Sequence, residues 1–345
     1  MRMPREIVSP SGLAPLAQEV QMFEEANNKL RAAWRERMER ASHIQVEWKE
    51  TITHKRGTVR PADRVEGMFG ATPEVLRHGI PHKDKEFKNL RRSLKISESM
   101  MRLESQQLSI VDPMNLRYED LLTSNNGEYS RSIVSRFDGS SVNGIINHKS
   151  QNIYATTVGL SAIMTCYRAF NLDFVVSDDP VIERVESDGT FVVKLGKEKV
   201  WVDPNRDFFP VRFERYRKGQ VCDRVDIDSA NSDGRWELTG WNCVKLDRHR
   251  NYESIAQTRY AEVTSITFEP TSSSDFDLVF DKGTKVSKRR EPGNWISEGG
   301  GKLSQVIVIE PTLSRRSPNR NFLIFSLLAL AIVSAILLRN RMLRQ

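Results

Sequence analysis

Residues Ser187–Asp226, SDGTFVVKLGKEKVWVDPNRDFFPVRFERYRKGQVCDRVD, decide the fold. Runs rich in β-branched and aromatic residues, Thr190–Leu195, Lys199–Asp203, Val211–Arg217 and Gln220–Asp228, are predicted strands. Asp188-Gly189 and Lys218-Gly219 punctuate them, pairs in which Gly supplies the positive φ of a tight turn. Strands joined so closely can only pair antiparallel.

The same pattern extends outward. Toward the C-terminus Asp233-Gly234 leads into Arg235–Asp247, and Arg259–Glu269 follows. Toward the N-terminus the predicted strands are Leu94–Gln106, Glu128–Phe137 and Ser141–Asn147, the last two joined through Asp138-Gly139. Ile44, Val46 and Trp48 alternate with Gln45, Glu47 and Lys49, the period of a half-buried strand. Two helices complete the set. Leu13, Leu16, Val20, Phe23, Leu30 and Trp34 fall at helical spacing over Leu13–Ala41, and a second helix is predicted between Thr157 and Phe170. The first helix packs on its own domain or pairs with a partner helix. Helix first, hairpins after, and one middle helix define an α+β fold, a curved antiparallel sheet packed over helices.

The chain has 345 residues and a net charge of +7. Twelve Lys and Arg against three Glu lie between Lys282 and Gln345, so residues 1–281 carry −2 and the basic excess is confined to the end. There Phe322–Leu338, FLIFSLLALAIVSAILL, has no charge, Pro or Gly and reads as a transmembrane helix over 321–339, about 26 Å long at 1.5 Å per residue. The expected organisation is a leader over 1–12, an α+β domain over 13–287, a basic linker with Gly, Pro and Ser over 288–320, the span, and a basic tail over 340–345. No secretory signal peptide is read in Met1–Gln21, which leaves a tail-anchored protein or a start further upstream.

Chemical motifs are sparse. Cys166, Cys222 and Cys243 have no paired spacing, which disfavours a disulfide framework or a Cys-based zinc site. Gly159-Leu160-Ser161 lacks the second glycine of a nucleophile elbow. His78 and His82 stand four apart, but Gly79 and Pro81 break the helix a metal pair would need. Asp226–Glu237 places acids at calcium-loop positions 1, 3 and 12, but Asn231 stands where the turn needs Gly, so a hairpin loop is expected. The basic strings Lys85–Lys95 and Lys285–Arg290 lack interleaved aromatics, so no nucleic acid is expected as a partner. No catalytic residue, metal ligand or cofactor is identified. Trp48, Trp201, Phe213 and Trp236 lie in strands and are the candidate ligand-binding residues, lining an apolar groove or else forming core.

Val200-Trp201-Val202-Asp203-Pro204, the following Phe209-Pro210-Val211-Arg212-Phe213-Glu214, and the closing stretch Asp275–Val286 with Phe276, Leu278, Phe280, Gly283 and Thr284 resemble the LolA/LolB/RseB-like superfamily of outer-membrane lipoprotein carriers and their relatives. The resemblance covers about residues 15–287. It implies an unclosed antiparallel half-barrel over helices, an apolar cavity for acyl chains, and no catalytic residue. The expected function is thus a non-enzymatic, single-pass membrane protein of the cell envelope that binds a lipid, a lipoprotein acyl chain or an apolar peptide as carrier, receptor or sensor. Its expected partners are membrane lipid or lipoprotein and an envelope protein. The resemblance places the domain on the periplasmic side of the inner membrane, with the cytoplasmic face as the alternative. A scaffold acting through the N-terminal amphipathic helix is the competing expectation.

Overall fold

The computed structural model describes residues 13–59, 79–112, 115–126, 129–135, 142–148, 160–168, 180–195, 198–288 and 293–306. The expected leader, Asp138-Gly139, the span over 321–339 and the basic tail lie outside the described residues. Helix α1 covers Leu13–Arg40 and α2 Leu160–Tyr167. The first half of the sheet comprises β1 (His43–His54), β2 (Lys85–Ser97), β3 (Met100–Asp112), β4 (Asn115–Asn125), β5 (Tyr129–Ser135) and β6 (Val142–His148). The second comprises β7 (Val181–Val185), β8 (Phe191–Leu195), β9 (Glu198–Asp203), β10 (Phe209–Arg217), β11 (Gln220–Ser232), β12 (Arg235–Leu246) and β13 (Ile255–Thr267). Three short strands follow: β14 (Lys285–Lys288), β15 (Asn294–Gly299) and β16 (Lys302–Val306), the last two within the stretch expected as a linker.

The sixteen strands of the described residues form one sheet in the order β16-β15-β14-β6-β5-β4-β3-β2-β1-β13-β12-β11-β10-β9-β8-β7. The expected antiparallel half-barrel is corrected here: among the described residues the sheet is open, with edges at β16 and β7, and it is mixed. The chain starts mid-sheet at β1, winds out to β6, jumps to the far edge and winds back until β13 pairs with β1. Residues 268–284 then cross to the first half, so that β14 arrives running parallel to β6. A hairpin turn reverses direction, whereas a crossover of this length can deliver a strand in the same direction as its neighbour.

The predicted single strand over Leu94–Gln106 is two strands, β2 and β3, joined at Glu98. Nothing local signals that turn, because Glu98 itself takes φ 51°. Tertiary contacts hold it: the Glu98 N–H donates to the Ser42 carbonyl at 2.8 Å, and Arg168, fully buried, donates to the carbonyls of Glu98 and Ala41.

The expected membrane-spanning helix is also corrected. Among the described residues no helix is long and apolar enough to cross a membrane. The 28-residue α1 reaches about 42 Å at 1.5 Å per residue but carries charge along its length. The single-pass anchor, the membrane-anchored function and the inner-membrane location drawn from that helix therefore have no element to rest on among the described residues.

The core lies where the helices meet the sheet. Leu30 and Trp34 of α1 and Leu160, Ile163 and Tyr167 of α2 pack with Ile44, Val46, Trp48, Phe213 and Trp241. Trp48 and Trp241 meet with ring centroids 5.7 Å apart, and the Tyr167 hydroxyl accepts from the Leu238 N–H. From Phe23 onward α1 turns its apolar residues, Leu30 and Trp34 above all, onto its own domain; the side chains of Leu13, Leu16 and Val20 lie outside the described residues.

Candidate functional site

Strand period places successive side chains on opposite faces. Leu94, Ile96, Met101 and Leu103 therefore enter the core under the helices, while Lys95 and Arg102 point to the other face. Cross-strand register extends that outward row without a break: Gln45, Lys95, Arg102, Ser124, Arg131, Ile146 and Lys288 are partners in turn across seven strands, from β1 to β14.

Residues 268–284 form a strap along this row, and nearly every strand holds it. Gln45 donates to Thr271 Oγ1 at 3.2 Å, and Lys95 Nζ reaches Asp275 Oδ2 at 3.4 Å. Arg102 donates to the Asp275 carbonyl at 3.0 Å, the Ser124 hydroxyl to the Phe276 carbonyl, and Arg131 Nη1 to the Leu278 carbonyl at 2.9 Å. Phe276, Leu278 and Phe280 are buried beneath it. Phe280 lies on Gly144, where a Cβ would come within 2.6 Å of the ring, so β6 carries the one residue that lets the strap down onto the sheet. Beyond it Ser297 of β15 donates to the Phe280 carbonyl at 2.9 Å.

Between the end of the strap and the β15–β16 hairpin is a cavity of about 310 Å³. Ile146, Leu278, Phe280 and Leu303 form its apolar wall; Tyr129, Arg131 and Lys288 are its polar groups. Arg131 Nε is buried without a hydrogen-bond partner among the described residues. Lys288 Nζ sits 3.7 Å from the centroid of the Trp295 ring, in cation–π range. Among the described residues no carboxylate lines the cavity, which offers hydrogen-bond donors and positive charge beside an apolar wall. That composition suits an apolar body with an anionic end. The volume is at the lower end of the roughly 300 to 1,000 Å³ usual for small-molecule sites.

The four candidate residues from the sequence are not brought together. Trp48 and Phe213 are fully buried in the core, and Trp236 packs half-buried against its edge. Trp201 is on the other face of β9 from Val200 and Val202, its Nε1 donating to Glu186 Oε1 at 3.1 Å. Trp236 lines a second cavity of about 70 Å³; Trp48, Trp201 and Phe213 line neither cavity. Asp226–Glu237 is the β11–β12 hairpin, turning at Asp233 and Gly234, both at positive φ. Cys166, Cys222 and Cys243 are free thiols, and the described residues hold no cluster of three or more His, Cys, Asp or Glu suited to a metal.

A buried polar network went unread in the sequence. Glu50 and His54 stand in phase with Ile44, Val46 and Trp48 on β1 and are equally buried. Glu50 pairs with Arg92 at 2.6 Å and Arg259 at 3.7 Å; Arg259 donates to Gln257, and Gln257 and Tyr118 each hydrogen-bond His54. Burial holds the Arg92 guanidinium below its ordinary value despite Glu50. The signal was there, as a charge and an imidazole in the inward phase of a strand.

No protein-family model matches the chain, and none of the curated proteins matches it in sequence. Among solved structures it is similar to a LolA superfamily protein from Nitrosomonas europaea, at 13% identity and a TM-score of 0.38 over 71% of this chain and 97% of that one. The likeness is weak and partial.

Proposed function

We propose that the domain is a non-catalytic binding protein whose cargo is a small amphiphile, an acyl chain or similar apolar body ending in a carboxylate, held under the end of the strap. The observation that carries this reading is the cavity of about 310 Å³ in which Ile146, Leu278, Phe280 and Leu303 face Arg131, Lys288 and Tyr129, with no acid among the described lining residues. An apolar tail covers the wall; the anionic end meets a buried guanidinium nitrogen that lacks a partner among the described residues. Charge-assisted hydrogen bonds of that kind are stronger than neutral ones and fix the orientation of the tail.

Decanoate and decanol, titrated into the full chain against a fluorescent fatty acid, test the reading. Saturable binding of one decanoate per chain is expected, weaker for decanol, and reduced about tenfold by Arg131→Gln and by Leu303→Glu, a loss of about 1.4 kcal/mol in each case. Binding that neither substitution changes, or no saturable binding, overturns it.

A further inference from the structure

The smaller cavity, of about 70 Å³, opens at the C-terminal end of α1, and its lining is dominated by arginine. Arg37 and Arg40 come from the last turn of α1, Arg206 from the turn between β9 and β10, and Arg235 from the start of β12. The helix dipole favours cations at the end of α1 and so accounts for the first two. It does not account for Arg206 and Arg235, which belong to other elements.

These cations are unequally satisfied. Arg206 has Asp203 at 3.0 Å and lies 4.7 Å above the Trp236 ring; Arg40 has Glu237 at 3.5 Å. Arg37, 8% exposed, spends Nη1 and Nη2 on the carbonyls of Asp207 and Phe208, and its Nε is buried without a partner among the described residues. Arg235 is exposed, and its side chain has no ion pair or hydrogen bond among the described residues. Two lining guanidinium groups therefore have no carboxylate within ion-pair distance among the described residues, and one of them is buried, an arrangement that is costly when nothing neutralises it. The carboxylates of Glu36 and Asp207 also line the cavity, both residues being exposed.

The wall itself is strained. Asp207 and Phe208 are consecutive non-glycine residues at φ 51° and 55°, and Arg37 grips both of their carbonyls. Such outliers persist only where their surroundings impose them, and they gather at ligand sites.

We infer that this cavity is an anion site for a phosphate group, either the free ion or the end of a small monoester. Guanidinium groups from three separate elements converge on a space the size of one tetrahedral oxyanion, and a divalent charge answers the two arginines that have no ion pair among the described residues. Trp236 and Phe209 close the apolar side, and Arg206 ties the Trp236 ring to the charge it would sense.

Calorimetric titration of the full chain with inorganic phosphate and with glycerol 3-phosphate, at low and fixed ionic strength, tests the inference. One phosphate per chain is expected. Arg235→Gln, a change at an exposed residue with no partner to lose, should weaken binding about tenfold by removing one charge-assisted contact, and Glu36→Gln should tighten it. Tighter binding of the monoester assigns the site to an esterified phosphate; equal or weaker binding assigns it to the free ion. Absence of saturable heat with either ligand, or equal weakening by matched chloride together with no effect of Arg235→Gln, overturns the site. Neither result bears on the strap cavity, which shares no residue with this one.

Discussion

Arg92 Nε lies 2.6 Å from Glu50 Oε2 with the two side chains 1% and 0% exposed, on the same face of β1 that buries Trp48. Arg259 stands on the other side of the same carboxylate. Replacing Glu50 by Ala leaves the buried Arg92 and the partly buried Arg259 without their carboxylate and should cost about 3 to 5 kcal/mol, read as a lower denaturant midpoint. The double change Glu50→Met with Arg92→Met removes both charges and should recover much of that loss. If Glu50→Ala were neutral, the pair would be solvated rather than buried.

Gly240 and Gly234 lie six residues apart on the same hairpin yet should respond differently. A Cβ at Gly240 would stand 2.6 Å from the Ala261 carbonyl oxygen, a backbone atom of the neighbouring strand, so Gly240→Ala should cost about 2 kcal/mol by overpacking. Gly234, at φ +81° with open space around it, has only conformational strain to resist Ala, about 1 kcal/mol. Equilibrium unfolding of the two variants separates a steric cost from a torsional one.

Gly144→Ala tests the seat of the strap. The added methyl meets the Phe280 ring, which can yield only by moving, and the open side of that ring is the 310 Å³ cavity. Decanoate affinity should fall with modest loss of stability. Unchanged affinity with a large loss of stability would mean that the strap, not the ring, gives way.

Thiol chemistry should be slow. Burial pushes the Cys243 thiol up to about 12, and burial with the adjacent Asp223 carboxylate pushes Cys222 up to about 11. At pH 8 Cys222 should react with a disulfide reagent roughly two orders of magnitude slower than an ordinary thiol, and its rate should still be rising at pH 10. A plateau near pH 9 would contradict the raised value.

Acid should loosen the corner around β7 and β9. Glu186 accepts from Arg184 and from Trp201 Nε1, and these contacts hold its carboxyl below the ordinary glutamate range. A depressed folded pKa means that the contribution is complete above the unfolded value and is lost as pH falls through the folded one. Trp201 emission should change with a midpoint below pH 4.5, and Glu186→Gln should abolish that step.

Local chemistry made much of the second half of the chain legible. Asp188-Gly189, Lys218-Gly219 and Asp233-Gly234 are at turns with positive φ, and the strand after each starts within one residue of its predicted start because such turns are decided within two residues, whereas β7 before the first of them is not among the predicted strands. The split between β2 and β3 was not legible, since Glu98 is held by Ser42 and Arg168 rather than by its neighbours. The candidate site was hidden for the same reason. Arg131, Ile146, Leu278, Phe280 and Leu303 are distant in the chain and share no motif; register and the strap bring them together.

What the sequence by itself determined was the α+β class, the alternation that buries Trp48 and Phe213, and the hairpins of the second half, all consequences of period and turn chemistry. Only the tertiary structure decided that the sheet is open and mixed, that residues 268–284 lie across it, and that two cavities lie beside arginines from different elements. Those features depend on which distant strands pair, and that pairing is set by the summed burial of many residues, which no short window of sequence contains.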